Sequence, residues 1–257
     1  MADNKVVLIG AGNVATHLGD ALLRSGYQIL QVYSRTEVSA SALSKRLGTS
    51  YTTSLDDLRC DADVYIVALK DDVLQELLPL IVKGRERALF VHTAGSIPMQ
   101  IWEGYAKRYG VLYPMQTFSK QRQVDWNEVS VFVEALQEHD LKILKELANN
   151  LTPKVYEATS EQRKSLHIAA VFACNFSNHM YALCDLLLSR QGLPFEVMLP
   201  LIDETTRKIH QLRPKDAQTG PAIRYDVNVM NKHLEMLKTD KSIQEIYRII
   251  SKSIHEL

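Results

Sequence analysis

Net charge is missing: 30 Lys and Arg balance 30 Asp and Glu over 257 residues. No field of one sign therefore draws the protein to nucleic acid or to an anionic membrane, and neither is expected as a partner. Cysteine is scarce, and Cys60, Cys174 and Cys184 are an odd number at spacings that form neither a zinc clasp nor a CxxC pair. The eight histidines are scattered. Buried or incidental thiols and no metal site are the expectation. Long apolar runs are also lacking, none approaching the ~20 residues that span a bilayer. The start, Met1 to Lys5, leads into a strand rather than a signal-peptide core, so a cytoplasmic protein is expected. What remains, 46% hydrophobic and 23% charged residues, is a globular composition with room for one large domain or two modest ones.

Two periodicities divide the chain. Up to about residue 158, short β-branched runs at 5–9, 28–33, 64–69, 88–92, 110–112 and 129–133 alternate with amphipathic segments, and weaker runs lie at 49–51 and 154–156. This pattern predicts an α/β fold, a Rossmann-like, mostly parallel sheet covered by helices. Beyond Glu157 the strand signal stops. Thr159 or Ser160 can cap a long helix running to about Ser189, and further helices are expected near 195–212, 226–238 and 240–255. The expected domains are thus 1–158, a dinucleotide-binding unit, and 159–257, an all-helical one.

Gly10-Ala11-Gly12-Asn13-Val14-Ala15 follows the first strand and opens the first helix, the context in which GxGxxG/A acquires a mechanism. Gly10 permits the tight turn, Gly12 lets backbone approach a pyrophosphate, and Ala15 is small enough for close helix–strand packing. The helix N-terminus supplies unpaired N–H groups for the phosphates. At the end of the second strand, where NAD recognition uses a carboxylate on the ribose, the chain reads Ser34-Arg35-Thr36. A guanidinium between two hydroxyls suits a 2′-phosphate, so NADP(H) is expected over NAD(H), unless Glu37 takes Arg35 as its own partner. Leu69 and Lys70 end the fourth strand, and Thr93, Gly95 and Ser96 follow the fifth. Ligands of open α/β sheets sit beyond these carboxyl ends. Leu69, Lys70 and Thr93 are therefore candidate cofactor contacts, and Gly95 and Ser96 candidate substrate contacts.

These motifs together resemble a bacterial family of NADP oxidoreductases that joins a Rossmann domain to a helical domain of unassigned function. GAGNVA, SRT, VALKDD, HTAGS and YPMQTF at 113–118 carry the likeness in the first half. HIAAVFACN at 167–175 and TGPAIRYD at 219–226 extend it through the second. The family is related more distantly to pyrroline-5-carboxylate reductases, ketopantoate reductases, β-hydroxyacid dehydrogenases and deazaflavin-dependent NADP reductases. The resemblance implies hydride transfer, substrate contacts from the helical domain and a homodimer formed through it. Gln116 and Thr117 match the family and become candidate substrate contacts. Tyr113-Pro114 departs from it, standing where a His-Pro pair is expected.

At about 100° per residue, Ser160, Lys164, Val171, Asn175 and Asn178 fall within roughly 80° of His167 on one helical stripe. Reduction of a carbonyl or imine needs a proton at the heteroatom. His167 is the first candidate acid/base and Lys164 the second; Asn175 and Asn178 are candidates to position substrate. Arg224 can hold an anionic group, and Asp226 either holds Arg224 or caps the following helix.

The expected function is an NADP(H)-dependent oxidoreductase acting on a small, anionic carbonyl, imine or hydroxy acid in the interdomain cleft, with a ketopantoate-like acid as one candidate from the family relationship. The alternative is a non-catalytic NADP-binding sensor or scaffold.

Overall fold

The computed structural model describes residues 4–257; Met1, Ala2 and Asp3, which the sequence casts as the lead into the first strand, lie outside the described residues. The first strand β1 (Lys5–Ile9) is followed by β2 (Gln28–Tyr33), β3 (Ser50–Thr52), β4 (Val64–Val67), β5 (Leu89–His92), β6 (Tyr109–Met115), β7 (Ser130–Ala135) and β8 (Val155–Glu157). They form one sheet in the order β3-β2-β1-β4-β5-β6-β7-β8. Every neighbouring pair is parallel except β6 with β7. All the expected strands are present, and the α/β expectation holds.

Helices α1 (Asn13–Arg24), α2 (Glu37–Leu47), α3 (Asp71–Val82) and α4 (Glu138–Asn149) cover the sheet. Alternate strand residues enter opposite layers: Val6 and Leu8 join Leu18, Leu22 and Leu144, while Val7 and Ile9 join Leu74, Leu78 and Trp102. Burial on both faces explains why β1, β4 and β5 read as unbroken apolar runs. Each such side chain removed from water contributes about 1.5–3 kcal/mol.

Sequence places the sixth strand at 110–112, whereas β6 continues to Met115 through Pro114. Its parallel pairing with β5 ends at His92 with Val111, and beyond that point β6 has β7 as its pairing neighbour. With one side of the strand released from the ladder, a residue without an N–H is tolerated.

Helix α5 (Ser160–Ala170) starts with a capping box: the Thr159 hydroxyl accepts from the Gln162 N–H, and Gln162 accepts from the Thr159 N–H. The single helix expected over 160–189 is interrupted by a π-helical segment, Val171–Phe176, before α6 (Ser177–Ser189). Cys174 is the last residue of the first compact unit, and Asn175–Leu257 form the second. That boundary lies sixteen residues beyond the one periodicity suggests (174 against 158), because α5 is anchored to the sheet by Ser160 and Arg163. The second unit holds α6, α7 (Leu199–Ile209), α8 (Val227–Met236) and α9 (Lys241–Glu256). Within it the His233 imidazole and the Tyr247 hydroxyl are 2.8 Å apart, linking α8 to α9. No helix among the described residues is long and apolar enough to cross a membrane.

Candidate functional site

The strand order reverses direction at β1, so a crevice opens beyond the carboxyl ends of β1 and β4. Gly10 sits in it with φ of +118°, and a Cβ there would lie 2.3 Å from the Ala68 carbonyl oxygen. Only glycine can make that turn. Gly12 differs: it is exposed, its φ is ordinary, and a Cβ would meet nothing within 4 Å. Open space beside its backbone is what a pyrophosphate needs. As the N-cap of α1, Gly12 provides no side-chain acceptor, and the first turn of α1 contains no acidic residue. The N–H groups of Asn13, Val14 and Ala15 thus begin the helix without a side-chain cap from Gly12. Ala15 is fully buried, as close packing against the sheet requires. This cradle fits a dinucleotide phosphate.

Ser34, Arg35 and Thr36 follow β2. Arg35 is exposed and forms no ion pair among the described residues; Glu37 instead accepts from the Tyr51 hydroxyl at 3.1 Å. The Thr36 hydroxyl donates to Ser39 at 2.9 Å. Arg35 is thus free for an anion. Leu69 packs against the apolar layer, which leaves its backbone rather than its side chain for a ligand. Lys70 is exposed at the N-cap of α3. Asp71, the first residue of that helix, does not cap it but accepts a hydrogen bond from the Ser96 hydroxyl, so Ser96 is tied to α3.

The segment after β5 is held by buried polar chemistry that the sequence alone does not single out. Thr93 is buried, and its N–H donates to the Val67 carbonyl at 3.1 Å. Arg163, 1% exposed, pairs with Glu134 at 2.6 Å and donates to the carbonyls of Ala94 and Ile97. Ser160 donates to Glu134 at 2.8 Å and accepts from the Met99 N–H at 2.9 Å. A buried guanidinium joins α5, β7 and residues 94–99 in one network. Next to it His92 is completely buried, its Nδ1 accepting from the Ala94 N–H at 3.2 Å. Burial, aided by the Arg163 charge, pushes its imidazole down to about 3. His92 is a neutral structural residue at physiological pH.

This network brings three groups together. A Cβ on Gly95 would lie 2.6 Å from His167 Nδ1 and 2.9 Å from Tyr113 Cζ, and the Tyr113 hydroxyl is 3.3 Å from His167 Nδ1. The two rings meet edge to face with centroids 6.3 Å apart. Burial raises the Tyr113 pKa, while the Arg163 charge opposes that rise and Cys174 adds to it. His167 is half-buried. Tyr113, the departure from the family's His-Pro, is therefore the direct neighbour of His167, at the carboxyl end of β6.

Lys164 is exposed and pairs with Glu161 at 2.9 Å, away from the buried side of α5 where Arg163 lies. Asn175 and Asn178 are exposed and belong to the second compact unit. The i→i+5 turns of 171–176 set the register of the stripe drawn from His167 back by about one residue, roughly 100°. Gln116 accepts from the Thr117 N–H and hydroxyl at 2.8 and 3.3 Å, and both residues are exposed. In the second unit Asp226 caps α8, accepting from the Val229 N–H at 3.2 Å, and does not pair with the exposed Arg224. Of the thiols expected to be buried or incidental, Cys60 and Cys174 are exposed and Cys184 is half-buried. Among the described residues no group of three or more His, Cys, Asp or Glu could hold a metal.

A doubly wound sheet with a glycine turn at its reversal point defines a dinucleotide-binding fold. Comparison narrows the class. Residues 5–95 match the family model described as NADP oxidoreductase coenzyme F420-dependent, and residues 129–254 match a domain of unknown function, DUF2520. A Bacteroides fragilis protein, BF3122, whose name assigns it as an NADP oxidoreductase, is 59% identical over 99% of both chains, with a TM-score of 0.95. The chain belongs to this NADP oxidoreductase family. An imine reductase from Myxococcus stipitatus, in complex with NADP+, shares the fold at 18% identity and TM-score 0.70, over 98% of this chain and 92% of its own. A 1-pyrroline-5-carboxylate reductase from Streptococcus pyogenes does so at 13% and 0.64, over 98% of each. No curated protein matches the chain significantly.

Proposed function

We propose that the protein transfers a hydride between NADP(H) and the carbon of a small carbonyl, imine or hydroxy acid, with His167 handling the accompanying proton. The observation that carries this reading is the convergence of Gly95, Tyr113 and His167 beyond β6, at the same edge of the parallel sheet as the open backbone of Gly12. NADPH, when bound, supplies the hydride.

The residues supply the rest. The raised pKa of Tyr113 keeps its phenol protonated near neutrality, and its hydroxyl, 3.3 Å from His167 Nδ1, is the donor in the tautomer that carries the ring proton on Nε2. From there it can be donated to a developing alkoxide or amine, and the same nitrogen removes it in the reverse direction. Gly95 leaves room for this arrangement, and the Arg163–Glu134 pair fixes the backbone around it. Arg35, without a carboxylate partner, favours the 2′-phosphate of NADP(H). Arg224, which forms no ion pair among the described residues, is the candidate for an anionic substrate group.

NADPH oxidation over a panel of cyclic imines and 2-keto acids, a ketopantoate-like acid among them, tests the reading. His167→Ala should lower turnover about 10²–10⁴-fold while NADPH affinity stays within about threefold. Tight NADPH binding without turnover across the panel would instead favour a sensor or scaffold.

A homodimer through the helical unit completes the proposal, with residence in the cytoplasm. It is supported by how little that unit buries: α6, α7 and α8 contain no buried residue. Met180, Leu183, Leu187, Ile246 and Ile250 line an apolar groove of about 350 Å³. Light scattering should give twice the mass of the chain.

A further inference from the structure

Between β6 and β7 the chain does not return directly. Residues 118–120 contact the glycine turn and the start of α1. Asn13 donates through Nδ2 to the Phe118 carbonyl at 2.8 Å, and His17 Nε2 meets the Ser119 carbonyl at 2.9 Å. The His17 ring, 5% exposed, stacks on Phe118 with centroids 5.3 Å apart, and Phe118 in turn packs on the buried Trp126. These contacts fasten a turn closed by the Arg122 N–H on the Ser119 carbonyl. At the tip of that turn is Lys120. Its ammonium donates to the Ala11 carbonyl at 3.0 Å, inside the glycine turn itself.

Holding one carbonyl uses one of the three N–H donors of the ammonium. Lys120 is exposed and pairs with no carboxylate among the described residues. A free cation is thus held within hydrogen-bonding distance of residue 11, beside the Gly12 backbone where the N-terminus of α1 opens. Both charges act on the same small volume. A structural lysine would neutralise a carboxylate or lie along apolar surface; this one is delivered to the rim of an anion cradle by a turn anchored at three points.

We infer that Lys120 is a ligand of the dinucleotide pyrophosphate, which is held between the first turn of α1 and the Lys120 ammonium. This assignment rests on the NADP(H) reading. It adds a cofactor contact from residue 120, outside the 5–95 segment that matches the oxidoreductase family model. Its specificity is distinct from that of Arg35: the pyrophosphate is common to NADPH and NADH, whereas the 2′-phosphate belongs to NADPH alone.

Binding measurements at fixed ionic strength separate the two roles without turnover. Dissociation constants for NADPH, NADH and adenosine 2′-monophosphate would be compared in the parent, Lys120→Met, Lys120→Arg and Arg35→Ala, by calorimetry for the dinucleotides and ligand-observed NMR for the monophosphate. Lys120→Met should weaken NADPH and NADH by the same factor, about tenfold, and leave the monophosphate within about twofold. Lys120→Arg should retain most of the affinity. Arg35→Ala should weaken NADPH and the monophosphate but spare NADH. Unchanged dinucleotide affinity in Lys120→Met would overturn the inference alone, as would an equal loss for the monophosphate, since Lys120 would then merely shape the turn. A parent that bound no dinucleotide would overturn both this inference and the function on which it rests.

Discussion

Gly10 and Gly12 belong to one motif but face different surroundings, so the same substitution should produce opposite thermal phenotypes. At Gly10 an added methyl meets the Ala68 carbonyl oxygen at 2.3 Å while φ stays at +118°. Backbone strain of about 1–3 kcal/mol and overpacking of similar size make Gly10→Ala cost roughly 4 kcal/mol. For a chain of this length that lowers Tm by about 10 °C. At Gly12 the methyl meets no protein atom, and the φ of −80° suits alanine. Alanine is a poorer N-cap than glycine but restricts the unfolded chain, so the ligand-free Tm should move by no more than about 3 °C. Its methyl would instead occupy the pyrophosphate approach. NADPH at a hundred times Kd stabilises the parent by about 2.7 kcal/mol, roughly 5–10 °C. A hundredfold weaker complex at the same concentration retains about 0.4 kcal/mol, near 1 °C. Differential scanning fluorimetry with and without NADPH reads both numbers. A full NADPH shift in Gly12→Ala, or a ligand-free Tm as low as that of Gly10→Ala, would refute the division of roles.

Two further perturbations act on the network behind His167. Arg163→Met leaves Glu134 largely buried without its cation, a loss of about 3–5 kcal/mol and a Tm lower by roughly 10 °C or more; a shift below 3 °C would show the pair to be dispensable. His92 is held neutral, its pKa depressed by burial and by Arg163 to about 3. Below the ordinary value near 6.5 the unfolded chain takes up a proton that the folded chain refuses, so this contribution is complete above about pH 6.5 and drains as the pH falls toward 3. At pH 5 it amounts to roughly 2 kcal/mol lost. Urea denaturation at pH 7 and pH 5 should show that much less acid sensitivity in His92→Gln; identical pH dependence in both proteins would remove the explanation.

Elements whose signal is local were legible before the fold. The β-branched runs, the Gly10–Ala15 turn and the Ser34-Arg35-Thr36 corner each declare themselves within a few residues. The stripe on the long helix is drawn at constant pitch, and nothing in VFACNF announces the π-helical turn that shifts its register. Lys164 attracted attention as a lysine near His167, yet its neighbour Arg163 is the buried one. That distinction depends on Glu134, 29 residues away in β7. Lys120 and Ala11 are separated by 109 positions, so only the folded chain brings them together. Tyr113 was visible as a departure from a motif, but its contact with His167 requires both β6 and α5 to be in place.

Hydride transfer between NADPH and a small substrate is the proposed activity on which the assigned residue roles depend. With NADPH carrying deuterium at both nicotinamide C4 positions and the panel of cyclic imines and 2-keto acids, mass spectrometry of the products measures that transfer directly. One deuterium should appear on the reduced carbon of at least one product, formed by the parent and about 10²–10⁴-fold more slowly by His167→Ala. NADPH bound tightly with no deuterium transferred to any member of the panel, or equal transfer by parent and His167→Ala, would contradict it.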